Sequence, residues 1–525
     1  MIERPGLNIS GSIMSHAKFR ATRTAFVCGD RRVTWAEFDV RVNKVANALL
    51  AAGLQKGDKV SLLALNSIQT LEIMYGTLRA GGVIVPLSAL LTPDLIASLV
   101  LDSASRFFFV VFPLEPLALP IVEKLEHISK EGRIAVEFEN TAWTDYERFI
   151  APASEEAPYV PVDNEDECNI IYSSGTTGVP KGIVHSNLVR VLAASACSVE
   201  FRIDATAVTL VNTPLFTNAT WMMLLPTVGA GGITILLPTF SPEGFFRAVQ
   251  EERATHTFLV PTQFQTIIEH PDFDKYDLSS LHIMVSMGSA MPLSLKQRVL
   301  DRMGQGLMEL YGITEGIGTT LKPEEILTKT GSVGTPIGGT DMRIIDDKGL
   351  ELPQGEMGEI VGYGPGMMTG YHNRPEATAE AIWRDEQGRT FLRTGDVGRF
   401  DEEGFLYILD RKKDMIVSGG VNVFASDIEE VFLQHADVHE VAVIAVPHEK
   451  WIETPLALVR LRPEAAVTED ELKDWVNLRV AKHQRVSGLE FREEEFPRNA
   501  LGKLLKRQLR EPYWPSEGGV LRGKG

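Results

Sequence analysis

Tyr172-Ser-Ser-Gly-Thr-Thr-Gly-Val-Pro-Lys-Gly182 is the stretch on which the reading of this chain turns. The apolar run before it, residues 168–173, has the pattern of a short buried strand, and the spacing predicts a helix beginning near His185 on its far side. A loop in that position suits an anion. Gly175 and Gly178 let successive backbone N–H groups converge on one point, the hydroxyls of Ser173, Ser174, Thr176 and Thr177 add donors, and Lys181 adds charge. The spacing is not Walker A, because no Gly-Lys-Ser/Thr follows four residues after a glycine. A Gly/Ser/Thr-rich surface turn is the bland alternative, and the length and order of the run weigh against it.

Outward from this loop, helix and strand signals alternate. Thr34 and Glu37 form a capping box before Phe38, Val42, Val45, Ala46 and Leu49, which recur at helical spacing until Gly53. Residues 59–65 read as a strand, 71–80 as a helix and 83–86 as the next strand, an order that implies layered α/β architecture with mostly parallel strands. Residues 155–166, acidic and proline-bearing, read as a surface connector. From about Gly339 the character turns to β, with Asp346-Asp347-Lys348-Gly349 as a turn. Arg411-Lys412-Lys413-Asp414 concentrates charge between two strand-like runs and marks a boundary. Beyond it the pattern predicts a helix at 428–432, strands at 441–446 and 456–461, and a helix capped by Thr468 and Glu471.

Composition narrows the function. The chain has 525 residues, 44% of them hydrophobic and 23% charged, the balance of a globular protein with more than one core. Its formal net charge of −18 provides no broad basic face for nucleic acid or anionic lipid, so an anionic ligand must be held by a local site. Cys28, Cys168 and Cys197 have neither metal-type spacing nor the number for a disulfide framework, which fits a reducing cytoplasm. No charge occurs between Asp204 and Glu243, a length that could span a bilayer. Pro214, Pro226, Gly229, Gly231, Gly232 and Pro238 break it into what reads as buried strands and a helix, so no transmembrane segment is expected.

Further motifs follow the loop in order: Gly288-Ser289-Ala290, Tyr311-Gly-Ile-Thr-Glu315, Thr394-Gly-Asp396, Asp410-Arg411, Ser418-Gly-Gly-Val-Asn422 and Pro497-Arg-Asn-Ala-Leu-Gly-Lys503. Together they resemble, over nearly the whole chain, the acyl-adenylate-forming superfamily of AMP-forming acyl-CoA synthetases, peptide-synthetase adenylation domains and luciferases. The resemblance implies an α/β fold class: a large N-terminal domain over residues 1–411, made of layered α/β subdomains plus a β-rich subdomain, and a small mobile α+β C-terminal domain over 412–525 with its hinge at Lys413.

It also implies residue roles. Ser173, Ser174, Gly175, Thr176, Thr177, Gly178 and Lys181 would cradle the phosphates of ATP, Gly288, Ser289 and Ala290 would lie on the adenine side, and Tyr311, followed by Gly312, would stack on the base. Thr314 would touch the α-phosphate, while Asp396 and Arg411 would hold the ribose. Glu315 and Thr177 are the implied Mg²⁺ ligands, since a hard cation prefers oxygen. Lys503, with Thr177 and Glu315, completes the implied catalytic set: its ammonium would offset charge where a carboxylate meets the α-phosphorus. Without those motifs it would read as one more cation of a basic helix over 503–510. Rotation about Lys413 would exchange Lys503 for Gly419 and Gly420 before coenzyme A enters.

The implied acyl pocket draws on Phe216, Thr217, Asn218, Gln263, Phe264, Val285, Gly288 and Gly316. Those stretches hold no lysine or arginine, which implies a substrate tail without negative charge. Phe216-Thr217 replaces an aromatic-His pair common in relatives, Ile452 follows Trp451 where glycine is usual, and Gln484-Arg-Val-Ser487 lacks the common Lys-x-Pro. The expected activity is AMP-forming ligation of a hydrophobic carboxylic acid to coenzyme A with ATP and Mg²⁺. Loading of an acyl-carrier protein stays open as an alternative, as does a catalytically silent nucleotide-binding regulator, against which Lys503, Glu315 and the loop speak. The oligomeric state is open, a homodimer included.

Overall fold

Runs of apolar residues without alternation, such as Phe107–Val111, become strands buried on both faces, as parallel α/β sheets require. The computed structural model of the protein describes residues 7–173, 180–418, 421–498 and 502–514. The chain divides into two units, Met1–Asp341 with Tyr363–Leu392, and Met342–Gly362 with Arg393–Gly525. The position expected for the hinge, Lys413, falls inside the second.

The first unit is built on two sheets. In the eight-stranded one, Val83–Leu87, Lys59–Leu63 and Phe107–Val111 run parallel in the middle, and Glu167–Ser173, Lys181–Ser186 and Gly370–Tyr371 complete one edge. The nine-stranded sheet carries Val208–Val211, His256–Leu259, Ile283–Ser286 and Leu307–Gly312 as parallel neighbours, with Gly318–Leu321 antiparallel beside the last. Helix Trp35–Ala51 opens with the expected capping box. It packs on helix Ile68–Arg79 so closely that a Cβ on Gly76 would stand 2.5 Å from Val45 Cβ.

The uncharged stretch folds as strand Val208–Val211, helix Asn218–Ala230 and strand Ile233–Leu236. Pro226, expected to break the pattern, sits inside the helix, whose residues from Met223 to Val228 are all buried. Tertiary packing outweighs the lost backbone donor there. Among the described residues no helix is long and apolar enough to cross a membrane.

In the second unit, strand Thr390–Phe400 pairs antiparallel with Leu406–Arg411, setting Asp396 opposite Arg411. A separate five-stranded sheet of Val421–Val423, Ile416–Ser418, Ile452–Leu461, Val438–His448 and Gly488–Phe491 packs a core with Ile428, Phe432, Leu472 and Val476 from helices Ala425–Leu433 and Glu469–Asn477. Thr468 and Glu471 form the expected box. The basic helix expected over 503–510 covers only Lys506–Arg510. Gly502, at φ +71°, and the bridge between Arg498 and Leu504 hold Lys503 in an extended segment instead.

Candidate functional site

Ser173 and Lys181 are the last facing pair of the antiparallel ladder between Glu167–Ser173 and Lys181–Ser186. The loop therefore joins two strands, and the helix expected near His185 begins at Asn187, its first turn capped by the Ser186 hydroxyl, which accepts from Val189 N at 3.4 Å. His185 and Ser186 still pair with Asn169 and Glu167, following the β-branched Ile183 and Val184 in the same strand, so the ladder runs through the point where the spacing predicts a helix. Ser174, Gly175, Thr176, Thr177 and Gly178 lie outside the described residues, as do Gly419 and Gly420.

Beside this hairpin, the two-residue strand Gly370–Tyr371 pairs with Val184 and Ile183. Tyr371 was not foreseen, yet it joins two predicted residues: its hydroxyl donates to Glu315 Oε1 at 2.7 Å, and Lys181 Nζ stands 4.9 Å from its ring centroid. Burial, then Glu315, raise the phenol above its ordinary range, so it stays a donor. The other Glu315 oxygen has no partner among the described residues. One carboxylate with an oxygen to spare suits Mg²⁺ held chiefly by phosphates, and no described cluster of three or more His, Cys, Asp or Glu offers a protein-only cage.

Thr314 and Glu315 are held by their backbone. Gly316, at φ +109°, lies so near residue 366 that a Cβ would fall 1.6 Å from Gly366 O. The Glu315 carbonyl accepts from Met368 N at 2.7 Å, and the Thr314 carbonyl pairs with His185 Nε2 at 2.9 Å. Arg190 Nη2 donates to His185 Nδ1 at 3.2 Å, which makes Nε2 the protonated nitrogen. Burial, then Arg190, push this imidazole well below its usual range, and it stays neutral.

An apolar cavity enclosing about 650 Å³ of empty space, its open mouth included, lies against Tyr311, Gly312 and Gly316. Of the residues the resemblance implies for the acyl pocket, Asn218 and Gly316 line this cavity. Phe216, Thr217, Gln263, Phe264, Val285 and Gly288 lie off its lining. Thr217 Oγ1 donates to Pro214 O at 3.0 Å, Gln263 Oε1 accepts from Val260 N at 3.1 Å, Phe264 and Val285 are core residues, and Gly288 turns the chain at φ +103° ahead of the exposed Ser289 and Ala290. One wall is instead the helix Asn187–Glu200, through Val189, Arg190, Ala193, Ala196 and Cys197. Arg190, which lies outside the stretches expected for the acyl pocket, thus lines this cavity. The signal was present as a stripe at helical spacing, but assigning it to a cavity required the tertiary fold. Burial raises the Cys197 thiol to about 12, so it is an inert wall.

In the second unit the structure gathers four predicted residues. Arg411 Nε lies 3.4 Å from Asp396 Oδ1, and the carboxylate is almost wholly buried. Lys503 is near enough to feel both: burial and then Arg411 bring its ammonium down to about 8, with Asp396 opposing them and Lys413 adding to the fall. Lys413 occupies the turn after Leu406–Arg411, and its carbonyl accepts from Arg510 Nη1 at 3.3 Å.

Comparison with known proteins matches residues 14–372 to the AMP-binding enzyme family and 427–503 to the AMP-binding enzyme C-terminal domain. Over 503 residues the chain is 35% identical to a feruloyl-CoA synthase of Amycolatopsis sp, covering 95% of this chain and 97% of that one. Over 491 residues it is 33% identical to the long-chain-fatty-acid–CoA ligase FadD13 of Mycobacterium tuberculosis, at 92% and 94% coverage. Among solved structures, the anthranilate CoA ligase AuaEII in complex with anthranoyl-AMP superposes with a TM-score of 0.87 at 26% identity, covering 97% and 98% of the two chains.

Proposed function

The chain belongs to the AMP-binding enzyme family and is an AMP-forming acid–thiol ligase, and from that premise we propose that its acid is hydrophobic, whether fatty, alicyclic or aromatic. The observation that carries this reading is the apolar cavity against Tyr311, Gly312 and Gly316, walled by Ala193, Ala196, Cys197 and Met222. In the first half-reaction a carboxylate oxygen bonds to the α-phosphorus of ATP while the bond from that phosphorus to the pyrophosphate oxygen breaks. In the second, the sulfur of coenzyme A bonds to the acyl carbon and AMP departs.

Each group of residues has a part in the proposal. Tyr311 takes the adenine, Asp396 and Arg411 the ribose hydroxyls, and Lys181 and the residues before it the phosphates. Lys503 supplies positive charge at the bond being made, and turning about Lys413 brings Gly419 and Gly420 forward for the thiol. Glu315, oriented by Tyr371, would hold Mg²⁺, which supplies charge neutralisation for the phosphates.

A panel of carboxylic acids assayed for AMP release with coenzyme A tests the proposal. Apolar monocarboxylates should release AMP and pyrophosphate in equal amounts. Release of ADP, or turnover confined to short polar acids, would sink it, and AMP release only with acyl-carrier protein would move the acceptor.

A further inference from the structure

Arg190, in the first turn of helix Asn187–Glu200, is 3% exposed and lines the apolar cavity. Its guanidinium is fixed by three neutral acceptors from three elements: Nε donates to Asn169 Oδ1 at 2.6 Å, Nη1 to Asn218 Oδ1 at 2.7 Å and Nη2 to His185 Nδ1 at 3.2 Å. The Trp221 ring centroid lies 4.8 Å from the guanidinium carbon. Among the described residues no carboxylate pairs with it, and its neighbour His185 is neutral.

A guanidinium has five N–H donors, so three bonds leave two unspent. A buried cation with only neutral partners is costly, and burial brings even this guanidinium down to about 10. A structural arginine would ordinarily have a carboxylate for company, as Arg79 has Asp39 at 2.7 Å elsewhere in this chain. An anion entering the cavity would supply the missing charge.

We propose that Arg190 binds the reacting carboxylate of the acid substrate and orients it toward the Thr314-Glu315 turn. The placement follows from the chain of contacts. Arg190 reaches the Thr314 carbonyl through the single imidazole of His185, so its guanidinium marks the end of the cavity next to that turn. From there the helix wall continues through Ala193, Ala196 and Cys197, and seven residues of helix carry it about 10 Å further with no second cation. The cavity thus has one charged end and an apolar length, the shape of a monocarboxylate with a hydrocarbon or aromatic tail. The inference rests on the acid-activating function proposed above.

The test uses the full chain, with the acid that turns over fastest in the panel and that acid's primary amide as a neutral competitor. Arg190→Met should raise KM for the acid about 10-fold or more, as loss of a charge-assisted hydrogen bond does, and leave KM for ATP unchanged. It should also erase the preference for acid over amide, and Arg190→Lys should restore part of both. Three results overturn the inference: an unchanged KM for the acid, a rise confined to acids with a second oxyanion on the tail, or equal loss of acid and ATP affinity in both variants. If Arg190→Met does not fold, calorimetry on the wild type decides, since equal affinity for acid and amide overturns it too. A wild type that activates no acid removes the parent proposal and this one together, whereas an active wild type with an indifferent Arg190→Met removes this one alone.

Discussion

Arg411 Nε stands 3.4 Å from Asp396 Oδ1, and the two residues face each other across adjacent antiparallel strands. Such a pairing presents a carboxylate acceptor and guanidinium donors side by side, the arrangement a vicinal diol can use. Asp396→Ala should therefore raise KM for ATP by about 10- to 100-fold, the loss expected for hydrogen bonds to a charged group, with a smaller effect on KM for the acid. Arg411→Ala should do the same, and the double variant should lose less than the product of the two. Strictly multiplicative losses in pyrophosphate exchange would count against a shared partner.

Lys503 gives a pH dependence. Its ammonium is held near 8, so it is charged below that pH and loses its proton as the pH rises through it. Acid-dependent pyrophosphate exchange should fall on the alkaline side of about pH 8, and Lys503→Arg should carry the active range to higher pH. Lys503→Ala should lower exchange by about 10²- to 10³-fold, the usual worth of one preorganised charge at a transition state, and flatten this limb. Thiol transfer from supplied acyl-AMP should suffer far less, and equal loss in both halves would argue against the role.

Tyr371→Phe removes the hydroxyl that holds Glu315 Oε1. With the carboxylate less firmly oriented, the Mg²⁺ concentration for half-maximal activity should rise about 5-fold, matching the net worth of one hydrogen bond. A metal titration at saturating ATP reads this directly, and an unmoved midpoint would mean that Glu315 is oriented by other means.

Gly316→Ala should destabilise the fold by about 2–4 kcal/mol, adding strain at a positive φ to overlap with a backbone oxygen. Denaturant unfolding followed by tryptophan fluorescence measures it. A loss under about 0.5 kcal/mol, the scale of an ordinary surface change, would show that the backbone near Gly366 can give way.

What the sequence made legible was mostly local. The boxes at Thr34 and Thr468 stand where the residues put them, because a cap is decided within four positions. The predicted Asp396, Arg411 and Lys503 also come together, since each belongs to a motif with its own order along the chain. Other features depended on distant partners. The residues around His185 favour a helix start by local pattern, but its strand is selected by the register with Asn169. Tyr371 lies on a strand of two residues, too short for any periodicity to register. Arg190 is an unremarkable helix position until the cavity beside it is known.

The segment after Gly366 touches both halves of this site. Met368 N bonds to Glu315 O, Thr369 N to Val184 O and His372 N to Gly182 O, while Tyr371 reaches back to Glu315. Six consecutive residues thus act as a splint of fixed length between the Thr-Glu turn and the hairpin. A single inserted residue would turn Tyr371 to the opposite side of its strand and misalign both ends at once. Length variation among descendants of this chain should therefore collect elsewhere on its surface, and this short segment should tolerate exchange of side chains far better than a change in their number.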